Sequence, residues 1–162
     1  MALREVRIEK LFWATAPEPR REEWRTVMHE LVLHAEFAVP GEPAVLRVVP
    51  MPEATDLRLD DALGGELAWT SVPRVSLSRH VTEYVDICRQ LGADGLGWGS
   101  PRFEALDMGK KLAHDDAART LVPLCAPIGA DHATCRRLFT LLLALRVDTT
   151  RLVGIHGHRP IR

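Results

Sequence analysis

Two pairs of adjacent cations stand out in the second half of this 162-residue chain, because both fall in segments whose pattern predicts helix. Lys110-Lys111 lies in one segment, and Arg136-Arg137 lies in the first turns of a later, mostly apolar segment. Adjacent cations on a largely buried helix are unfavourable unless something compensates them. They therefore indicate either internal ion pairs or a surface that binds an anionic group.

The sequence leaves both interpretations open. In the first, Arg136 or Arg137 pairs with carboxylates of the earlier segment. Those carboxylates are Glu104, Asp107, Asp115 and Asp116. Asp107 precedes Lys111 by four residues, the favourable order for an ion pair within a helix. In the second, the charged helix surface binds a small anion or docks a protein partner. The candidate residues for that binding surface are Glu104, Lys110, Lys111, Asp115, Arg136 and Arg137, with His114 beside them.

His114 adds the possibility of general acid–base catalysis. An imidazole titrates near neutral pH, and a neighbouring carboxylate such as Asp107 can orient it and tune its pKa. The leading hypothesis is a non-enzymatic binding or regulatory protein. The alternative is a small enzyme that acts on a phosphorylated or carboxylated metabolite, with His114 as the acid or base.

A glycine-rich stretch at residues 92–99 is a weak candidate for phosphate binding, since clustered glycines let backbone amides approach an anion. Such loops run from a strand into a helix, whereas this stretch follows a predicted helix. It also lacks the Gly-Lys-Ser/Thr ending of a P-loop. A turn between helices is the better interpretation.

Metal and nucleophile motifs are similarly weak. The stretches 114–116 and 131–135 contain His, Asp and Cys, but none of their spacings matches a known ligand set. The sequence has no Gly-x-Ser-x-Gly elbow, and Cys88, Cys125 and Cys135 lie in apolar stretches that predict burial. We therefore expect no metal site and no cofactor. His156 and His158 are interpreted as part of a solvated tail.

The segments that carry these charges resemble an uncharacterised bacterial protein family whose members are about as long as this chain. Family sequences read approximately Ile-Glu-Ala-Ile-Asp-Met-Gly-Arg-Arg, then His-Asn-Glu, and later Thr-Ala-Arg-Arg-Leu-Phe-Thr-Leu. Residues 103–115 and 134–141 follow this signature. The resemblance extends less strongly to residues 76–88, where the family has a similar Ser/Leu-rich entry and a Tyr-x-x-Ile-Cys step. Asp115-Asp116 replaces the family's Asn-Glu, and Cys135 replaces an alanine. The resemblance implies an intracellular bacterial protein and supplies no activity, because the family has none assigned.

The order of predicted elements favours an α+β fold. Residues 3–12 alternate partly between apolar and charged types, which predicts a short strand, and three short runs between residues 44 and 72 predict an antiparallel meander. Gly64-Gly65 fits a tight turn in that meander. We expect three or four antiparallel strands packed against a C-terminal helical cluster, with at most five helices in all.

Capping residues and helical spacing predict where the helices lie. The apolar spacing around Trp24 predicts the first helix. A second helix follows Pro73, with Ser76 or Ser78 as its N-cap. Later helices are expected at three N-cap candidates, which are Ser100, Asp115 and Asp131. The last helix carries apolar residues around most of its circumference, so we expect it to be central and mostly buried.

Composition and charge limit the class of protein. Hydrophobic residues make up 46% and charged residues 27%, and 21 Lys+Arg against 22 Asp+Glu leave a net charge of −1. This balance excludes a polycation that coats nucleic acid or an anionic membrane. We expect one domain at residues 1–147 and a tail at 148–162. The chain has three cysteines, no predicted signal peptide and no predicted membrane span, so we expect a cytoplasmic protein. The sequence is compatible with an oligomer.

Overall fold

The computed structural model describes residues 3–93 and 99–152, and it has the predicted α+β class. The strands are β1 (Glu5–Ile8), β2 (Val45–Pro50), β3 (Ala54–Asp60) and β4 (Glu66–Pro73). The α-helices are α1 (Lys10–Thr15), α2 (Glu18–His34), α3 (Arg74–Ala93), α4 (Pro101–Leu124) and α5 (His132–Arg146). Short 3-10 turns cover Ala126–Ile128 and Thr149–Arg151. In these residues, no helix combines the length and apolar character that crossing a bilayer requires.

The four strands form one sheet in the order β1-β2-β3-β4. The meander of β2, β3 and β4 is antiparallel, as the sequence predicts. The expectation of a wholly antiparallel sheet is wrong, because β1 pairs with β2 in parallel. The two helices α1 and α2 lie between these strands in the chain, and they supply the long crossover that a parallel pair requires. The sheet is therefore mixed.

The two faces of the meander differ in chemistry because successive side chains of a strand point to opposite faces. One face carries buried Leu46, Val48 and Leu57 towards the helices. The other carries a ladder of ion pairs. Arg47 Nε lies 2.5 Å from Asp60 Oδ2, and Arg58 lies 3.0 Å from Glu66 Oε2 and 3.2 Å from Asp56 Oδ2. The open face of the sheet is thus covered by paired charges.

Helix α5 lies in the centre of the core, as its composition predicts. Nine of its residues are buried, including Leu138, Phe139 and Leu141. The Asp131 carboxylate accepts the backbone N–H of Thr134 at 2.8 Å, which confirms the predicted N-cap. The interior position of this helix brings α2, α4 and the sheet into one core cluster.

The buried C-terminal end of α5 receives hydrogen bonds from two side chains of α2. Trp24 donates its indole N–H to the carbonyl of Ala144 at 2.9 Å. Arg20 donates to the carbonyls of Ala144 and Leu145 at 3.0 and 3.3 Å. The last carbonyls of a helix have no partner within the helix, so these donors satisfy acceptors that would otherwise be buried alone.

Several predicted helix boundaries differ in the structure. Ser100 caps α4 as expected, accepting the N–H of Phe103 at 3.1 Å. The prediction that Asp115 caps a separate helix is wrong, because α4 runs unbroken through it from Pro101 to Leu124. Buried Ala117, Ala118 and Leu121 continue the apolar face of α4 beyond that point. Tertiary packing therefore overrides the local capping signal.

Two other boundaries are corrected. Helix α3 begins at Arg74, directly after β4, so neither Ser76 nor Ser78 is its N-cap. Strand β1 ends at Ile8, and α1 begins where the Glu9 carboxylate accepts the N–H groups of Leu11 and Phe12 at 2.9 Å. The predicted strand over residues 3–12 is therefore a short strand followed by a capped helix.

Gly129 marks a close approach between two segments of backbone. Its φ is +65°, and a Cβ atom at this position would lie 2.3 Å from the carbonyl oxygen of Ala38. Ala38 donates its N–H to the Gly129 carbonyl at 2.9 Å, and Phe37 and Ala130 form an isolated β-bridge beside it. Only glycine fits here without displacing backbone.

We expect Gly129→Ala to lower the free energy of unfolding by more than about 3 kcal/mol, since the left-handed conformation and the backbone clash both oppose a side chain. Gly64→Ala is the matched control. Gly64 also has a positive φ, +86°, but an added Cβ would meet no atom within 4 Å. The control should lose about 1 kcal/mol. Equal losses in urea unfolding would contradict the close approach.

Candidate functional site

The charged residues predicted to form a site divide into those that meet between α4 and α5 and those that do not. The α4–α5 cluster consists of Asp107, Lys110, Lys111, His114, Asp115 and Arg136. Lys110 and His114 lie on the side of α4 that faces the core, one turn apart, and Arg136 reaches them from the second turn of α5. The unbroken α4 helix is what places all five of its residues on one element.

Asp107 is the anion of the first half of the cluster. Its carboxylate lies 3.1 Å from Lys111 Nζ and 3.7 Å from Lys110 Nζ. The side chain of Lys110 is 14% exposed and that of Lys111 is 55% exposed. The two adjacent lysines therefore differ in environment: Lys110 points inward and Lys111 lies at the surface.

Asp115 is the anion of the second half. Its carboxylate accepts a hydrogen bond from Arg136 Nη1 and lies 3.3 Å from His132 Nε2. The hydrogen bond from His132 lowers the pKa of Asp115, and the hydrogen bond and charge of Arg136 lower it further. This residue, predicted to cap a helix, instead joins α4 to α5.

His114 is held by α5 at both ring nitrogens. Nε2 lies 2.8 Å from the carbonyl oxygen of Arg136, which can only accept, so Nε2 carries the proton. Nδ1 then has the lone pair, and it faces Arg136 Nη2 at 3.4 Å. The hydroxyl of Thr140 lies 3.1 Å from Nε2. The rings of Tyr84 and Phe139 flank the imidazole, with centroids 5.7 and 5.6 Å away.

Burial lowers the pKa of His114 to about 4, and the positive charges of Arg136 and Lys110 act in the same direction. The imidazole is therefore neutral at pH 7. The catalytic hypothesis assigns Asp107 to orient His114, whereas in the structure the Asp107 carboxylate contacts Lys110 and Lys111. The geometry makes His114 a link between two helices.

Glu104 and Arg137 lie outside the cluster. Glu104 is exposed in the first turn of α4. Arg137 donates to the carbonyl of Ala133, one turn earlier in α5, at 3.3 Å. The two adjacent arginines thus differ, because Arg136 bonds across to α4 whereas Arg137 bonds within α5.

A feature that the sequence reasoning missed lies on the outer side of α4. Met108 is 56% exposed and Leu112 is 58% exposed, although both are large apolar residues. We call Glu104, Met108, Lys111 and Leu112 the α4 strip, since they lie on the solvent face of one helix at three- and four-residue steps. The sequence does carry a signal for this exposed pair, because Met108 and Leu112 are four residues apart and lie away from the predicted core face of the helix.

The other sequence candidates contribute little to a site in the described residues. Cys88, Cys125 and Cys135 are fully buried, and burial raises the pKa of the Cys88 thiol to about 11. Within residues 3–93 and 99–152, no group of three His, Cys, Asp or Glu side chains is arranged to hold a metal ion. Most of the glycine-rich stretch, and the pair His156 and His158, lie outside the described residues.

Comparison with known proteins gives one consistent result. A family model described as an uncharacterised protein family, UPF0262, matches residues 2–148. A UPF0262 protein of Rhizobium etli is 31% identical over 107 residues, which cover 65% of this chain and 68% of that protein. One from Methylobacterium radiotolerans is 27% identical over 132 residues, covering 78% and 82%. No solved structure matches the chain.

The burial of His114 predicts a pH dependence of stability. The unfolded chain, with an imidazole pKa near 6.5, binds a proton between pH 6.5 and pH 4 that the folded protein does not bind. Stability from this group is therefore complete above pH 6.5 and falls as the pH falls. Between pH 7 and pH 5 the loss should be about 2 kcal/mol in urea unfolding.

The variant His114→Asn should lack this loss, whatever its stability at pH 7. His132→Gln is the matched control, because His132 is half-exposed at the same junction of α4 and α5. The control should keep the pH dependence of the parent protein. If His114→Asn lost as much stability as the parent between pH 7 and pH 5, the imidazole would not be buried as described.

Proposed function

Because the chain belongs to the UPF0262 family, a bacterial family described as uncharacterised, we propose its function from the geometry of the site. We infer that it is a cytoplasmic, non-enzymatic binding or regulatory protein, and that it docks a protein partner on the α4 strip. The observation that carries this proposal is the exposure of Met108 and Leu112, side by side, on a helix whose inner charged residues Lys110 and Asp115 are already paired.

The apolar part of the α4 strip supports contact with a protein. Single exposed apolar residues are ordinary on protein surfaces, but an adjacent pair on a rigid helix offers a continuous patch. Methionine adapts its shape to an opposing side chain and is common at binding surfaces. Burial of both side chains by a partner would remove apolar area from water, which favours association.

The charged part of the strip defines the chemistry of the partner. Glu104 lies one turn before Met108, and Lys111 directly precedes Leu112, with its ammonium 3.1 Å from the Asp107 carboxylate. A complementary segment would place an apolar side chain over Met108 and Leu112, an acidic residue near Lys111 and a basic residue near Glu104. Charged groups at the rim of an apolar patch set the orientation of the partner.

The α4–α5 cluster supports this role indirectly. Arg136 joins Asp115 to His114, so α4 is fixed to α5 at the level of the strip. A surface on a fixed helix loses less conformational entropy on binding than a flexible one. In this proposal Lys110, His114, Asp115 and Arg136 position the docking surface without contacting the partner, and Lys111 is the one member of the cluster that also belongs to the α4 strip.

The same contacts favour binding over catalysis. A general acid or base must reach the substrate proton at a free ring nitrogen. Both nitrogens of His114 face groups of α5, and its pKa of about 4 makes it a weak base at neutral pH. The enzyme hypothesis, with His114 as acid or base and Asp107 as its orienting carboxylate, therefore has less support.

Site-specific photo-cross-linking in the native bacterium tests the proposal. A benzophenone amino acid at position 108 should give a cross-linked product with a different protein, because the partner covers Met108. Adding Leu112→Glu should reduce the yield of this product at least tenfold. A tenfold loss corresponds to about 1.4 kcal/mol, which is on the order of what a central contact contributes to binding. The fold should be unaffected, since both side chains are exposed.

The same photo-reactive residue at Thr82, exposed on α3, is the matched control and should not give that product. A position-108 product with twice the mass of the chain would show self-association in place of a different partner. That result would overturn the proposed docking surface, and so would a cross-linking yield that Leu112→Glu leaves unchanged.

A further inference from the structure

An apolar pocket of about 350 Å³ lies at the opposite end of α5 from the charge cluster. It opens where β2 ends and where β4 passes into α3, and Leu142 and Leu145 of α5 form part of its wall. Arg136 and Arg146 are ten residues apart, which is about 15 Å along a helix. The pocket is therefore separate from the α4 strip and independent of the function proposed for it.

Most of the residues that line the pocket are apolar. Val72, Leu77 and Val81 line it from β4 and α3, and Phe12 lines it from α1. Its volume lies within the range of small-molecule sites, which are typically apolar with a few polar groups at fixed positions. The interior thus suits an apolar chain or ring of modest size.

Two arginines, Arg74 and Arg146, supply the only charged groups of the lining. Arg146 donates to the carbonyl of Arg74 at 2.9 Å and to the hydroxyl of Ser78 at 2.9 Å, so its guanidinium is fixed in place. Within the described part of the chain, neither arginine forms an ion pair with a carboxylate.

The positive charges of Arg74 and Arg146 also repel each other. Burial lowers the pKa of Arg146, and the charge of Arg74 lowers it further. Two arginines that line one mostly apolar pocket, neither of them paired with a carboxylate, are stabilised when an anionic group binds beside them. The positive charge of Arg74 and Arg146 therefore lies where the head group of a bound ligand would lie.

We propose that this pocket binds a small molecule with an apolar body and one anionic head group, a carboxylate or a phosphate monoester. The apolar body packs against Val81, Leu142 and Leu145. The head group accepts hydrogen bonds from Arg74 and Arg146 at the rim. No bond is made or broken in this site, which is a binding site only.

Titration with three eight-carbon probes tests the proposal on the purified full chain by methyl NMR. Octanoate and octyl phosphate carry the two possible head groups, and octanol has the same chain without charge. At least one anionic probe should bind ten or more times as tightly as octanol. Shifted methyl signals should be those of Leu77, Val81, Leu142 and Leu145. Affinity should rise about fourfold per methylene from hexanoate to octanoate, since each buried methylene contributes about 0.8 kcal/mol.

Arg74→Gln is the decisive variant, because the side chain of Arg74 is exposed and only its carbonyl contacts Arg146. It should weaken binding of the anionic probe about tenfold and leave octanol unchanged. Arg146→Gln should act likewise if it folds. Arg79→Gln, at an exposed arginine of the same helix, is the matched control and should have no effect.

Three results would overturn the proposal. The first is that octanol binds as tightly as the anionic probes. The second is that Arg74→Gln binds the anionic probes as tightly as the parent protein does. The third is that no probe shifts the four named methyl signals. The partner proposed for the α4 strip is tested by cross-linking at position 108, so either proposal can fail without the other.

Discussion

A helix that lies inside the core must find hydrogen-bond partners for the backbone groups at both of its ends, and α5 imposes this constraint on the rest of the molecule. Asp131 satisfies a donor at its start. Trp24 and Arg20 satisfy acceptors at its end. An unsatisfied polar group buried in the core costs about 1–3 kcal/mol, so these contacts fix where α2 lies. The indole of Trp24 serves both as core volume and as a donor.

A related constraint explains the charge cluster, because a charged side chain at the edge of the core also needs a partner. The second turn of α5 carries Arg136 at the boundary of the core, where a guanidinium without an anion would be unfavourable. Asp115 supplies the anion, and His114 accepts a further contact from Arg136 while donating to its carbonyl. A neutral imidazole is suited to this place, because a second cation beside Arg136 would repel it. The predicted site residues that converge here thus hold two helices together.

Local sequence signals predicted the parts of the fold that depend on local chemistry. Ser100 and Asp131 cap helices because their side chains reach N–H groups a few residues away, and the apolar circumference of α5 predicted its burial. Asp115 has the same capping chemistry, yet it lies within α4, because packing beyond it favours a continuous helix. The parallel pairing of β1, the burial of His114 and the pocket at Arg146 depend on contacts between distant segments, and no local pattern encodes them.

The contact between Trp24 and Ala144 joins residues 120 positions apart, and this separation orders the events of protein synthesis. A ribosome completes α2 and the sheet well before it reaches α5. Until α5 emerges, the apolar faces that pack on it stay exposed to water and to other nascent chains. Closing so long a loop is slow compared with forming the individual helices. Chaperones that bind exposed apolar segments therefore have their longest opportunity on this chain before α5 leaves the exit tunnel.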